Sequence, residues 1–275
     1  MNISRTIFKE SSQLRCQRHW PEVERFDARI ARTSFATHAH EGFVIGIVLT
    51  GVQSFIHQGI DHVVPAGSIT FLNPGELSSA EALKGHSVQY QTLHVPAEAM
   101  ESIAPPGFRF PMPVLYNHSI ARRLTEQLAI LDATREKAVW HARLTEFLHQ
   151  CTALFLSREV PDPEIEDARI TTIRSYIEDN LVSSLELETL SQQLDLSKFH
   201  FLRLFRAHVG VTPHVYIQAR RTARAKMLLR QHPPAQVAAL CGFVDQSHLT
   251  RWIRSCYGTT PSVYHKQFRG LSKLA

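Results

Sequence analysis

The stretch His200-Phe201-Leu202-Arg203-Leu204-Phe205-Arg206, running on to Gly210-Val211-Thr212-Pro213-His214-Val215-Tyr216, occurs twice in this chain. Forty-eight positions later stand His248-Leu249-Thr250-Arg251-Trp252-Ile253-Arg254 and then Gly258-Thr259-Thr260-Pro261-Ser262-Val263-Tyr264. His, Arg, Arg, Gly, Thr, Pro, Val and Tyr return in the same order at one offset. Two copies are too few for a stacked solenoid, so the match reads as one small helical module used twice.

Each copy has the same local pattern. Leu187, Leu190 and Leu194 mark a short helix, and Ser197 caps a second that turns Phe201, Leu204, Phe205 and Val209 inward. In the second copy Val237-Ala238 to Leu240-Cys241 form the first helix, Gly242 the turn and Asp245 the cap. Short helix, tight turn and second helix make a helix-turn-helix. Gly242 suits a left-handed turn conformation, which Asp195 in the first copy tolerates less well. A further helix over 169–181 precedes the first copy, with Ile170, Ile173, Tyr176 and Ile177 on one face. Between the copies, Thr212 to Leu229 reads as one helix of about 18 residues, roughly 27 Å long. Pro213 and Pro261 occupy first-turn positions, where proline costs little. The linking helix would hold the two units apart by a distance comparable to a DNA turn, about 34 Å, so one chain would reach successive major grooves.

Charge follows the same division. Residues 1–168 hold 15 Lys/Arg against 19 Asp/Glu, whereas residues 169–275 hold 15 against 6. An acidic half joined to a basic half points to nucleic acid as the partner of the second half. Cys16, Cys151, Cys241 and Cys256 are widely spaced and form no CxxC pair, as expected of reduced thiols in a cytoplasmic protein. No apolar signal segment is visible near the N-terminus. The longest nearly apolar run, Gly42 to Val52, is too short to span a bilayer, so no membrane partner is expected.

From Phe26 to Val95 the chain reads as short β-branched runs broken by turns. Phe43–Leu49 stops at Thr50-Gly51, Gln53–His57 at Gln58-Gly59, and His62–Val64 at Pro65-Ala66-Gly67. Ile69–Leu72 stops at Asn73-Pro74-Gly75, and Ser87–Val95 at Pro96. This spacing predicts an antiparallel sandwich or barrel. Two amphipathic helices follow near 117–133 and 135–157, their apolar faces to be covered by the barrel, by each other or by a second subunit in a homodimer. An acidic segment with Pro161 and Pro163 separates the halves, giving domains 1–157 and 169–275 with a linker over 158–168.

Two resemblances stand on these residues. His38-Ala39-His40-Glu41 and Gly59-x5-Pro65-x-Gly67 resemble the two halves of the cupin signature, whose barrel often holds a metal. The ligand pattern is incomplete: Val44-Ile45 replace the expected Glu, and Thr70 the later His. No metal and no cofactor is therefore assigned. His38 and His40 read either as pocket residues or as polar residues at a strand entrance, and Glu76 and Glu81 as candidate contacts to an effector at the barrel mouth. Gly242-Phe243-x-Asp245-x-Ser247-His248-Leu249-x-Arg251 with Gly258-x-Thr260-Pro261-x-x-Tyr264 resembles the signature of the AraC/XylS family of bacterial transcription regulators. The upstream copy, including Arg221-x-x-x-Ala225-x-x-Leu228-Leu229, resembles the same family. Departures are Ile253 for the family's usual Phe, Ser191 for Ala and Asp195 for Gly.

The resemblance implies an α+β chain of two domains: an N-terminal antiparallel cupin-like β-barrel with two following helices, and a C-terminal all-α domain with two helix-turn-helix motifs joined by a linker helix. It implies a sequence-specific transcription factor on double-stranded promoter DNA, answering to a small-molecule effector and, as an activator, meeting RNA polymerase. By resemblance Phe199, Leu202 and Arg203 read bases in the first copy, and Gln246, Ser247, Thr250 and Arg251 in the second. Lys198, Arg206 and Arg254 suit phosphate. Against base or backbone contact stands the reading that Arg203 and Arg251 hold the fold by pairing with acids; His200 and His248 read as packing or capping residues. The reading positions differ between copies while the scaffold repeats, so different half-sites are expected. The chain is not expected to be an enzyme. The rival readings are a cupin-type metal-dependent enzyme with a DNA-targeting C-terminal domain, and a sequence-neutral architectural DNA binder.

Overall fold

In the barrel half, alternate residues of one long strand face two different interiors. The computed structural model describes residues 8–156 and 167–272. Its strands are β1 (Ser11–Cys16), β2 (Glu24–Ile30), β3 (Ser34–Ala39), β4 (Phe43–His57), β5 (Ile60–Pro65), β6 (Ser68–Leu72), β7 (Leu77–Ala82), β8 (Val88–Val95) and β9 (Val114–Tyr116). The main path runs β1-β2-β8-β4-β6-β9, while β7 bridges β3 to β4 and β5 pairs with β4. These pairings are antiparallel. Phe43, Ile45 and Ile47 of β4 pack toward the helices that follow the barrel, and Val44 and Val48 into the other core, with Phe26 and Phe35. A strand covered on both faces reads as a continuous apolar run, as Phe43–Val48 does.

Two sequence expectations need correction. Thr50-Gly51 is no hairpin turn: β4 continues through it to His57, with a register shift against β8 between Val48 and Thr50. Such a bulge bends a strand without ending it. The barrel also begins earlier than Phe26, and β1, β3, β7 and β9 carry weak strand signals (Leu-Ser-Ser-Ala-Glu-Ala in β7). Pairing with neighbours rather than intrinsic preference makes them strands.

After a short α1 (Ala97–Glu101) come α2 (His118–Ala133) and α3 (Lys137–Ala153), close to their expected bounds. Leu124, Leu128 and Leu131 of α2 and Trp140, Leu144 and Phe147 of α3 share one core with the outer face of the sheet. Their apolar faces are thus covered within the chain. Most of the expected linker, residues 158–166, lies outside the described residues. Asp167 is already the cap of the next helix, its carboxylate accepting from the Arg169 backbone N–H.

The second half is α4 (Ala168–Asp179), α5 (Leu187–Gln192), α6 (Lys198–Val209), α7 (Pro213–Leu228), α8 (Pro234–Leu240), α9 (Gln246–Tyr257) and α10 (Pro261–Ser272). The repeated residues explain themselves as paired terminators. Gly210 and Gly258 end α6 and α9 with φ of 80° and 65°. Thr212 and Thr260 accept from Val215 and Val263 backbone N–H groups, ahead of Pro213 and Pro261. Tyr216 and Tyr264 are both buried. Asp195 does adopt the left-handed turn conformation, at φ 52°, where the second copy uses Gly242 at 70°. α7 has 16 residues, about 24 Å, slightly shorter than expected because Thr212 is its cap and Leu229 its exit.

The two halves are packed together at equivalent points of the repeat. A Cβ on Gly210 would stand 2.3 Å from the Gly59 nitrogen at the β4–β5 turn, and one on Gly258 2.7 Å from Ser12 Oγ of β1. Only glycine permits both the turn and the approach. Residues of the barrel interior, such as Phe26, Phe35 and Val44, share a single core with Leu249, Ile253 and Cys256 of α9 and Tyr264 of α10.

Candidate nucleic-acid interface and barrel cavity

The helices α6 and α9 each present an apolar inner face and a polar outer one. Phe201 and Phe205 of α6 and Leu249 and Ile253 of α9 are buried; Ile253, the departure from the usual Phe, is a core residue. The outer faces carry Arg203, Arg206, Arg251 and Arg254, all exposed. Among the described residues no ion pair or hydrogen bond engages any of these four guanidinium groups. The reading in which Arg203 and Arg251 hold the fold through acidic partners is therefore without support. Phe199 is 87% exposed in the first turn of α6, an unusual place for an aromatic ring without a partner. Gln246 and Ser247 are exposed on the first turn of α9, and Leu202 and Thr250 half-buried. Lys198 pairs with Glu188 of α5, both half in solvent. Such a surface pair contributes little and exchanges readily for another anion.

Histidines of the repeat differ in role. His248 accepts from Trp252 Nε1 at 2.9 Å and meets the Phe243 ring edge-on, which places it and Trp252 in the packing. His200, at the equivalent position, is exposed. The caps of the two helices are Ser197, accepting from the His200 N–H at 3.3 Å, and Asp245, accepting from the His248 N–H at 2.6 Å. Asp245→Ala is expected to destabilise the C-terminal half by about 1 kcal/mol, read as a lowered urea midpoint of the full chain, whereas Asp245→Asn, whose amide oxygen can still accept from the His248 N–H, should retain most of the wild-type stability.

Inside the barrel lies a cavity of about 60 Å3. His38 and His40 line it, and β8 adds His94, which pairs opposite Val44 of β4. The three rings stand edge to face, His38 to His40 at 4.5 Å and His40 to His94 at 5.1 Å between centroids. Burial pushes His38 down to about 4 and His94 to about 3, and holds His40 well below its ordinary value. All three are neutral imidazoles at physiological pH. One nitrogen of each ring already has a partner: His38 Nδ1 with the Ala36 carbonyl at 2.7 Å, His40 Nε2 with Ser78 Oγ at 3.4 Å, and His94 Nε2 with Thr92 Oγ1 at 2.8 Å. Among the described residues no three His, Cys, Asp or Glu side chains are arranged to hold a metal, so the cupin-type metal does not fit here.

Glu76 and Glu81 are not brought into the cavity. Glu76 ties the Asn73-Pro74-Gly75 turn to its surroundings, bonding His57 Nε2 at 3.0 Å, the Asn73 N–H at 2.8 Å and Arg109 Nη2 at 2.9 Å. Glu81 is exposed on β7. What sequence reasoning missed is His94, together with Cys256 and Tyr257, which close the cavity from the C-terminal end of α9. The Tyr257 hydroxyl donates to the Ala39 carbonyl at 3.2 Å, and its ring meets His38 at 4.9 Å.

Beside the cavity, Glu24 of β2 joins the halves. It accepts from Tyr264 Oη at 2.6 Å, pairs with Lys226 of α7 and lies 3.8 Å from Arg230 Nη2. Burial pushes its carboxyl up, and the opposing charges of Lys226 and Arg230, with the Lys226 hydrogen bond, outweigh that and hold it below the ordinary range.

Comparison with known proteins agrees with this architecture. Residues 21–152 match the family model of an AraC-like ligand binding domain, and residues 190–267 that of a helix-turn-helix domain. The chain is 29% identical over 239 residues to an uncharacterized HTH-type transcriptional regulator, YbfI, of Bacillus subtilis, covering 82% of this chain and 86% of that one. It is 22% identical to the HTH-type transcriptional activator RhaS of Enterobacter sp., covering 86% and 89% of the two chains. Its fold resembles that of unsaturated fatty acid bound ToxT from Vibrio cholerae, with a TM-score of 0.53 at 14% identity over 90% of this chain and 95% of that one. Among the described residues no helix is long and apolar enough to cross a membrane.

Proposed function

This chain belongs to the AraC/XylS family of transcription regulators and is a DNA-binding transcription factor with an N-terminal ligand-binding domain; on that premise we propose how it reads DNA. Phe199, Leu202 and Arg203 of α6 contact base edges in one major groove, and Gln246, Ser247, Thr250 and Arg251 of α9 those in the next. Lys198, Arg206 and Arg254 hold phosphates. The observation that carries this reading is the set of four arginines on the outer faces of α6 and α9, repeated at one offset and bonded to nothing in the described chain. Selecting genomic fragments on the full protein and sequencing them tests it: the expected result is two dissimilar half-sites in successive grooves. A perfect direct repeat within one monomer's footprint would contradict it, and uniform recovery of fragments would favour the sequence-neutral binder.

Arg206→Ala should weaken binding about equally on all sequences and lower the slope of log affinity against log salt by roughly one counterion, about 0.9. An unchanged slope would remove Arg206 from the phosphate set.

Residues 1–157 serve as the effector domain, 158–168 as linker and 169–275 as the DNA-binding domain. A small molecule bound in the barrel at His38 and His40 adjusts DNA binding; Glu76 is engaged in its turn, and Glu81 lies exposed outside the cavity. The chain works in the bacterial cytoplasm as a regulator rather than an enzyme, with RNA polymerase as partner where it activates. A homodimer formed through α2 and α3 would use their outer faces, where Ile130 and Val139 are exposed; sedimentation of wild type against Ile130→Glu distinguishes dimer from monomer.

A further inference from the structure

The lining of the barrel cavity is selective in what it omits. No Asp, Glu, Lys or Arg reaches it. Lys226 of α7, outside the lining, is held by Glu24 and lies over the Tyr257 ring at 4.7 Å. Most of the wall is apolar or aromatic, with Phe26, Phe35, Phe55 and Leu72 prominent. A carboxylate entering here would meet no free cation, and an ammonium no anion; an unpaired charge in such a site costs several kcal/mol.

The polar end is also defined. A carbonyl oxygen only accepts, so His38 Nδ1, 2.7 Å from the Ala36 carbonyl, carries the ring's proton. A neutral imidazole has one proton, which leaves His38 Nε2 a bare acceptor, and among the described residues nothing donates to it. The site therefore asks for a donor.

Size adds a further condition. A dry cavity that binds benzene measures about 150 Å3, and this one about 60 Å3. A ligand of even one ring must move a wall. Most of the wall is paired strand; Cys256 and Tyr257 belong instead to the last turn of α9, the helix that carries Arg251. Tyr257 also touches His38, the acceptor.

We infer that the cavity takes an uncharged, mainly apolar molecule whose hydroxyl donates to His38 Nε2, and that its entry displaces Tyr257 and loosens the seat of α9. This rests on the effector reading of the barrel. One side chain contacts both ligand and reading helix, so ligand size converts directly into a shift of α9.

Calorimetric titration of the full chain with phenol, toluene, benzoate and benzylamine tests the chemistry. Phenol should bind about three- to tenfold more tightly than toluene, the worth of one hydrogen bond, and the two charged probes should not bind. His38→Phe should abolish the difference between phenol and toluene; should that variant fold poorly, Tyr257→Leu, which enlarges the cavity, should tighten phenol and toluene alike. Saturating phenol should raise amide hydrogen exchange across residues 246–257 relative to α4, and unchanged exchange overturns the displacement. Binding of benzoate or benzylamine in preference to phenol overturns the assignment of charge and leaves the effector reading in place. Silence of all four probes also overturns the inference. The effector reading is judged separately: a low-molecular-weight bacterial extract that changes DNA affinity upholds it, and one without effect removes it.

Discussion

Glu24→Ala is expected to cost the folded chain about 3–5 kcal/mol, far more than an exposed carboxylate would. The residue is 1% exposed and is partnered almost entirely by the other half of the chain. Removing it leaves Lys226 facing only the Tyr257 and Tyr264 rings, at 4.7 and 5.7 Å, and strips Arg230 and the Tyr264 hydroxyl of their common acceptor. An uncompensated ammonium in that position is the main penalty, so Glu24→Ala with Lys226→Met should recover much of the loss. Urea unfolding of the full chain measures both, and equal losses in the single and double variants would mean that the pair is not coupled. Glu24→Gln should fall between, because its amide oxygen still accepts from Tyr264.

Acid should expose the same junction in two stages. His38, His40 and His94 have folded pKa values below the ordinary 6.5, so the unfolded chain takes up protons first as pH falls. Their contribution is complete above that value and declines as pH drops through it toward about 3 to 4, the range of His94 and His38. Glu24, also depressed, contributes fully above its ordinary 4.5 and loses that contribution as pH falls through its lower folded value. Stability should thus start to fall near pH 6.5, and His94→Gln should make that first decline shallower, with His38 and His40 still contributing to it. A decline beginning only below pH 5 would contradict the neutral-imidazole description.

What was legible in the sequence and what was not divides along contact distance. Gly210 and Gly258, Thr212 and Thr260, Pro213 and Pro261 act within one turn of themselves, so their repetition was enough to place both helix-turn-helix units. His38, in β3, and His40, one residue past its end, stand two apart in extended chain and so share a face by periodicity. Tyr257 bonds Ala39 across 218 positions, and Tyr264 bonds Glu24 across 240, pairings without any local signature. His94 reaches His40 through the register of β8 on β4, and no spacing in the chain announces that register. Glu76 misled for a related reason. A turn acidic residue beside a barrel mouth resembles a ligand contact until His57, Asn73 and Arg109 are seen to consume it.

Arg251→Ala should weaken binding to the selected DNA by about 1–3 kcal/mol, and chiefly at one base pair. The side chain is exposed on the outer face of α9, one turn beyond the capped first residues, while Leu249 and Ile253 on either side anchor the helix in the core. Nothing in the described fold depends on it, so the variant should unfold at the wild-type urea concentration; a stability loss comparable to the binding loss would point to a structural role. The discriminating measurement is a set of single-base substitutions in the α9 half-site. For a base-reading arginine, wild type should prefer one base there, guanine by the geometry of its bidentate contact, and the variant should be indifferent at that position alone. A loss that is equal on every sequence would move Arg251 to the phosphate set. Arg203→Ala should do the same in the other half-site. Because the two arginines lie on separate helices with no common partner, the double variant should lose the sum of the two, about 2–6 kcal/mol. A double loss much smaller than that sum would mean that the helices do not engage one operator together, and the two-groove arrangement itself would fall.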